Sequence, residues 1–205
     1  MLEDILKLLT ARNGHFLLES GHHSDLWLDL EALCIEPARV QLLAAELANR
    51  LKHLDIGVVC GPLVEGAFVA MMVASELDVP FTYAERYALP GHDGLFPMGY
   101  RIPQTLRGML RNKRVAIIND VTSAGSAVRG TFADLKACGA KPVAVGTLLL
   151  LGDTFGRFAA AEGLVLESLA THVHVLWTPV ECPLCVSGTP LTDMAGPGGD
   201  RRAFS

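Results

Sequence analysis

The sequence predicts an α/β domain, a parallel sheet covered by helices on both faces. Three observations carry that expectation. From residue 56 onward, short apolar strand-like runs alternate with helix-like runs, the order that builds crossover units. The strand-like runs are continuously apolar, as in strands buried on both sides. Half of the 205 residues are apolar and 19% are charged, enough apolar surface for one sizeable core. The apolar stretches at 66–75 and 143–151 are far shorter than the roughly 18–20 residues a membrane span requires. The N-terminus, Met-Leu-Glu-Asp-Ile-Leu-Lys, carries acids where a secretory leader carries bases, so a cytoplasmic protein is expected. A formal charge of −5 argues against general nucleic-acid or anionic-membrane binding. It leaves room for a small anionic ligand, because backbone N–H groups or a metal can supply local positive potential. Five cysteines, an odd number, read as reduced residues rather than a disulfide framework.

Residues 2–9 have helical apolar spacing and end near Asn13-Gly14, a C-cap signal. Short alternating runs over 15–30 suggest strands of a small N-terminal subdomain. Glu36-Pro37 opens an amphipathic helix to about Lys52, with proline near the first turn, where a missing N–H is harmless. A buried strand over 56–60 meets Gly61-Pro62, and an apolar helix follows over 66–76. Further strands are expected at 80–83, 114–118 and 142–149, with a possible fifth at 172–177, and a helix at about 126–137. Between 86 and 112, Pro90, Pro97 and Pro103 with Gly91, Gly94, Gly99 and Gly108 disfavour helix. That stretch reads as a lid or binding loop, or else as a surface hairpin without a role. Residues 196–205 (GPGGDRRAFS) read as a flexible tail. Ligands of such sheets bind at the C-terminal ends of the strands.

The stretch Val115-Ala-Ile-Ile-Asn-Asp-Val-Thr-Ser-Ala-Gly-Ser-Ala-Val128 carries the chemistry. A buried strand ends in the polar pair Asn119-Asp120, small hydroxyl-bearing residues follow, and the chain turns at Gly125 into a helix at Ser126. Successive N–H groups and the helix dipole converge there on one concavity, a cradle suited to phosphate. Thr122, Ser123 and Ser126 add hydroxyl donors, and Gly125 permits close backbone approach. A carboxylate ahead of such a cradle can accept from sugar hydroxyls, so phosphate plus ribose is the ligand chemistry. On this reading Gly125→Val clashes with a bound phosphate.

The same segment resembles the phosphoribosyl diphosphate (PRPP) signature of type I phosphoribosyltransferases, and NDVTSAGSAVRG looks most like the orotate phosphoribosyltransferase form. Four further motifs resemble that family in order: Gly14-His-Phe-Leu-Leu-Glu-Ser-Gly-His-His-Ser24, Cys60-Gly-Pro-Leu-Val-Glu-Gly66, Tyr83-Ala-Glu-Arg86 with His92, and Cys182-Pro-Leu-Cys185 with Gly188 and Pro190-Leu191. The resemblance implies a single type I phosphoribosyltransferase-like domain over 1–205. Its core would cover about 36–169, and a small hood over the base would come from about 1–35 and 170–195. It implies that Asn119 and Asp120 face the ribose diol, Asp120 also steadying positive charge near C1′, and that Val121 and the run Thr122, Ser123, Ala124, Gly125, Ser126 and Ala127 hold PRPP by its 5′-phosphate. Leu63, Val64, Glu65 and Gly66 would approach the diphosphate through backbone N–H groups. Arg86 and His92 would close over the leaving group, and Ser123 would contact the base. Mg²⁺ would arrive on the diphosphate rather than in a protein cage. The implied partners are PRPP, a nucleobase and a second copy of the chain in a homodimer; the rival reading is a PRPP-binding regulator without turnover.

The chain departs from the family pattern at charged positions. Asn119 replaces the usual first acid, Glu19 a usual lysine, and Tyr87 and Pro90 stand where the mobile loop carries lysines. Arg101, Arg107 and Arg111 could compensate if the long loop folds back. Leu150-Leu151-Gly152-Asp153 lacks the arginine that reads the orotate carboxylate, and Asp153 could repel it. Trp27 either stacks on a base or packs the hood. His22 and His23 lie at the rim of the base pocket or in a solvated turn. His172 and His174 with Cys182 and Cys185 offer the donor types of a tetrahedral zinc site, although the resemblance already accounts for the two cysteines.

Overall fold

The computed structural model describes residues 2–6, 8–31, 33–89 and 95–193. His92, Pro90, Gly91, Gly94 and the expected tail at 196–205 lie outside the described residues. In chain order the elements are α1 (Leu2–Leu6), β1 (Thr10–Leu17), β2 (His23–Asp29), α2 (Pro37–Leu51), β3 (Val58–Pro62), α3 (Glu65–Leu77), β4 (Phe81–Ala88), β5 (Met98–Arg101), β6 (Arg114–Thr122), α4 (Ser126–Ala137), β7 (Lys141–Leu151), α5 (Thr154–Ala161), β8 (Val165–His172), α6 (Pro183–Val186) and β9 (Thr192–Asp193).

The main sheet has the order β5-β4-β3-β6-β7-β8, parallel throughout except for the antiparallel β4–β5 hairpin. Alternation along the central strands divides the core between its two faces. Val59, Ala116 and Ile118 pack against α2 and α3, with Val40, Ala44, Leu47 and Val69. Val58, Cys60, Val115 and Ile117 pack against α4 and α5, with Val128, Phe132, Leu135 and Phe155. The connection leaving β3 runs through α3 to β4 on one side, whereas the one leaving β6 runs through α4 to β7 on the other. The sheet therefore reverses its winding between β3 and β6, and the crevice beyond those strand ends is the expected ligand position. Among the described residues no helix is long and apolar enough to cross a membrane.

Beside the main sheet, β2, β1 and β9 form a three-stranded sheet that joins the two ends of the chain. The first expected helix is shorter than its apolar spacing suggested. Asn13-Gly14 does not cap it but lies within β1, where the pairing with β2 shifts register between Asn13 and Phe16. The extra residue makes a β-bulge, and a bulge re-aims the side chains beside it. The fifth parallel strand lies at Val165–His172 rather than 172–177, of which only Trp177 bridges to His23. It forms the sheet edge, so Glu167 and Ser168 interrupt the apolar run that marks the buried strands. α5 escaped the sequence reading because two turns bury only Phe155 and Ala159. The proline- and glycine-rich stretch after Arg86 is in part the β4–β5 hairpin, followed by a 3-10 turn at Arg107–Leu110.

Candidate active site

A cavity of about 400 Å³ opens at the reversal point. Its floor is the end of β6, with Asn119, Asp120 and Val121. One side is the turn and first residues of α4 (Ser123, Ala124, Gly125, Ser126 and Ala127), and the opposite side is the β3–α3 turn (Pro62, Leu63, Val64, Glu65 and Gly66). Leu18, Glu19, Ser20 and Leu30 reach in from the small sheet and its connections, and Arg86 and Tyr100 from the β4–β5 hairpin.

The α4 wall is a helix N-terminus with the geometry an anion cradle needs. Gly125 caps the helix in the left-handed region (φ 77°), and no side chain bonds the first-turn N–H groups. The buried hydroxyls of Ser123 and Ser126 and the Oδ2 atom of Asp120 have no hydrogen-bond partner. Three unsatisfied polar atoms around one helix terminus are costly unless a ligand completes them. The α3 wall repeats the arrangement with an N-terminus lacking a side-chain cap, beside a cis Leu63–Val64 peptide. A Cβ at Gly66 would run into Asn119 Oδ1, so a larger residue on that wall has to displace the Asn119 amide.

Burial pushes the Asp120 carboxyl up to about 7, assisted by the neighbouring charge of Glu65 and opposed by backbone N–H donation from Val121. Thr147 holds the strand end beneath it, donating its hydroxyl to the Asp120 carbonyl at 3.0 Å. Asn119 donates from Nδ2 to the Val121 carbonyl at 2.7 Å, which leaves Oδ1 as the acceptor beside Gly66. Glu19, standing where the family pattern has a lysine, meets Arg86 Nε at 3.1 Å and accepts from the Tyr100 hydroxyl at 2.9 Å. Arg86, the one cation among the described lining residues, is thus already paired.

Of the expected site residues, the cavity gathers Asn119, Asp120, Val121, Ser123, Ala124, Gly125, Ser126, Ala127, Leu63, Val64, Glu65, Gly66 and Arg86. Others stand differently. The Thr122 hydroxyl is buried and turned to Thr147 Oγ1 at 3.2 Å, so it does not face the cradle. Leu63 lines the cavity, but its N–H donates to the Ala84 carbonyl at 2.9 Å and is not free for an anion. Trp27 packs on Phe16, ring centroids 6.3 Å apart, and does not line the cavity. Asp153 is exposed at the start of α5 and pairs with Arg157 at 3.8 Å, away from the cavity. Neither Arg101, over Tyr87 and near Glu85, nor Arg107, bound to Asp134 at 2.8 Å, compensates in the cavity, and Arg111 does not line it. Sequence reading missed Leu18, Ser20, Leu30 and Tyr100. Tyr100 carried one signal, an aromatic residue in a stretch otherwise rich in glycine and proline.

Two helix termini without side-chain caps stand on opposite sides of the buried polar end of β6, and the main sheet has the type I phosphoribosyltransferase fold. The solved orotate phosphoribosyltransferase of Aeropyrum pernix superposes with a TM-score of 0.61 at 24% identity, covering 83% of this chain and 93% of its own. An adenine phosphoribosyltransferase of Trypanosoma brucei, solved with AMP, pyrophosphate and ribose-5-phosphate, gives 0.64 at 20% identity over 83% of this chain and 78% of its own. No protein-family model matches the chain. It is 31% identical over 193 residues to an orotate phosphoribosyltransferase of Caldanaerobacter subterraneus, covering 93% of each, and 30% identical over 193 residues to that of Thermotoga maritima, covering 93% of this chain and 95% of the relative. The chain belongs to the orotate phosphoribosyltransferase family and is a phosphoribosyltransferase.

Proposed function

We propose that the chain transfers the phosphoribosyl group of PRPP to orotate, with Mg²⁺ carried in on the diphosphate. The observation that carries this reading is the set of unsatisfied polar atoms on Ser123, Ser126 and Asp120 at the α4 terminus. In the proposed complex the α4 amides and the Ser123 and Ser126 hydroxyls bind the 5′-phosphate, while Asn119 Oδ1 and the Asp120 carboxylate accept from the ribose diol. The amides of Val64, Glu65 and Gly66 approach the diphosphate. The C1′–oxygen bond to diphosphate breaks as the bond from C1′ to the base nitrogen forms, the proton of that nitrogen passes to the departing diphosphate, and Asp120 faces the positive charge that develops at C1′. Leu18, Leu30 and Val121 exclude water from that centre.

The cavity's donors suit a hard divalent cation. The lining holds three acidic side chains, Glu19, Glu65 and Asp120, and one guanidinium, so an unaccompanied diphosphate meets net negative charge, and carboxylates accept from the waters such an ion retains. Glu65 and Asp120 would meet that hydration shell, and bound Mg²⁺ would offset charge on the departing diphosphate. The exposed apolar residues Val64, Phe68 and Met71 follow helical spacing along α3 and offer a face for the proposed homodimer. Diphosphate release from PRPP and Mg²⁺ with a panel of free bases tests the acceptor: release with orotate is expected, and release only with another base overturns it. A second reading, PRPP binding with little turnover, is favoured by the Glu19–Arg86 pair, and saturable PRPP binding with no base turned over would select it.

The pair also yields a kinetic expectation. Glu19→Gln keeps an acceptor for Tyr100 but removes the charge that occupies Arg86. A half-exposed pair is worth at most about 1 kcal/mol, so the KM for PRPP should fall roughly three- to fivefold with little change in KM for the base. An unchanged or higher KM for PRPP means that Arg86 is not restrained by Glu19.

A further inference from the structure

We propose that His15, His23, Cys182 and Cys185 form a structural zinc site that ties the N-terminal hairpin to the C-terminal segment. One donor atom from each of the four lies within 4.8 Å of all the others. His15 Nε2 is 3.0 Å from His23 Nδ1 and 3.4 Å from Cys182 Sγ, and Cys185 Sγ is 3.3 Å from His23 Nδ1 and 3.8 Å from His15 Nε2. A tetrahedral zinc ion with bonds of about 2.0 Å to nitrogen and about 2.3 Å to sulfur holds its ligand atoms about 3.3–3.8 Å apart. The four donors already stand close to the edges of that tetrahedron.

The surroundings orient His15. His15 sits in the bulge of β1, which turns it toward His23 at the start of β2. Its Nδ1–H donates to the Thr189 carbonyl at 2.8 Å, so the Nε2 lone pair faces the cluster, the outer-shell arrangement that fixes a metal-binding tautomer. His15, His23 and Cys182 are buried and Cys185 lies at the rim, which leaves an entry path. Binding forms two Zn–S and two Zn–N bonds and sends two thiol protons to solvent, so two thiolates and Zn²⁺ sum to zero charge in a buried place. The histidines expected to accompany the cysteines do otherwise: His174 is 3.2 Å from Ser24 Oγ and lies near Asp25, and His172 ends β8.

Four protein ligands close the coordination sphere, so this ion serves structure rather than catalysis. None of the four lines the cavity, but the hairpin they anchor carries Leu18, Glu19 and Ser20, which do. The test is elemental analysis of the full chain purified without chelator, together with the spectrum of the protein reconstituted with Co²⁺. About one zinc per chain is expected, with intense tetrahedral ligand-field bands and a thiolate charge-transfer band for cobalt. Chelation should lower Tm by more than about 5 °C. Cys182→Ser and His15→Asn should each lose the zinc, and Cys34→Ser should retain it. Cobalt spectroscopy on the unaltered chain decides the matter even if those variants fail to fold. Zinc-free protein that takes up neither ion and keeps both thiols free, an octahedral cobalt spectrum, or a Cys182–Cys185 disulfide in the protein as purified overturns the proposal.

Discussion

Asp120→Asn should lower kcat/KM about 10²-fold or more and, at pH 8, make the protein more stable. Both effects follow from one buried carboxyl raised to about 7. In the proposed complex the carboxylate would accept from the ribose diol and face the charge developing at C1′, and losing one such electrostatic group costs about 10²–10³. The free enzyme is half protonated near neutrality, so kcat/KM should rise between pH 6 and 8 in the wild type, and this limb should vanish in the amide variant. Stability runs the other way. Below about pH 4 the group is protonated in both folded and unfolded chains and costs nothing. As pH rises from about 4 to about 7 the unfolded chain releases the proton while the folded chain retains it, so stability falls, and above about 7 the loss is complete. A shift of that size corresponds to about 4 kcal/mol at pH 8 and to less than about 1 kcal/mol at pH 4. Thermal unfolding of both proteins at the two pH values checks the sign. A variant equally destabilised at both would mean that the carboxyl titrates in the folded chain as it does in the unfolded one, and one destabilised more at pH 8 that the folded chain favours the carboxylate.

The legible part of this protein is the part whose signals are local. A continuously apolar strand, a polar pair and a glycine turn lie within one stretch of chain, so α4 begins at Ser126 as expected and the turn before it opens on the cavity. The same holds for α2, where Pro37 opens the helix and residues at helical spacing are buried. What the sequence concealed lies in contacts between distant residues. Glu19 reads as a missing lysine, but only the fold brings it to Arg86, 67 positions later, and makes it a partner rather than a gap. The hydroxyls of Thr122, Ser123 and Ser126 look equivalent in the sequence, yet Thr122 is claimed by Thr147 on the neighbouring strand while the other two remain unsatisfied. Spacing alone paired the cysteines with His172 and His174. The bulge in β1 and the joining of both chain ends in one small sheet bring them His15 and His23 instead.

Gly125→Val should abolish the folded protein rather than merely empty the cradle. From the sequence, the added side chain was expected to meet a bound phosphate. The structure directs it elsewhere: a Cβ at Gly125 runs into the ring of Phe155, a fully buried residue of α5, before any ligand is present. The backbone there has φ of 77°, where a β-branched residue is strongly disfavoured. Strain of about 1–3 kcal/mol and overpacking of a similar size together consume much of the stability of an ordinary domain. Soluble yield and Tm should therefore collapse, by more than about 10 °C if any folded protein is recovered. Phe155→Ala gives the discriminating control, since it vacates the space the new Cβ needs. On its own it costs about 3–5 kcal/mol through the cavity it leaves, but combined with Gly125→Ala, a smaller intrusion, the losses should be less than additive because one change fills what the other empties. Additive losses would mean that the ring does not meet the Gly125 position. Normal stability of Gly125→Ala with PRPP affinity reduced more than about tenfold would restore the phosphate clash as the reason for glycine there.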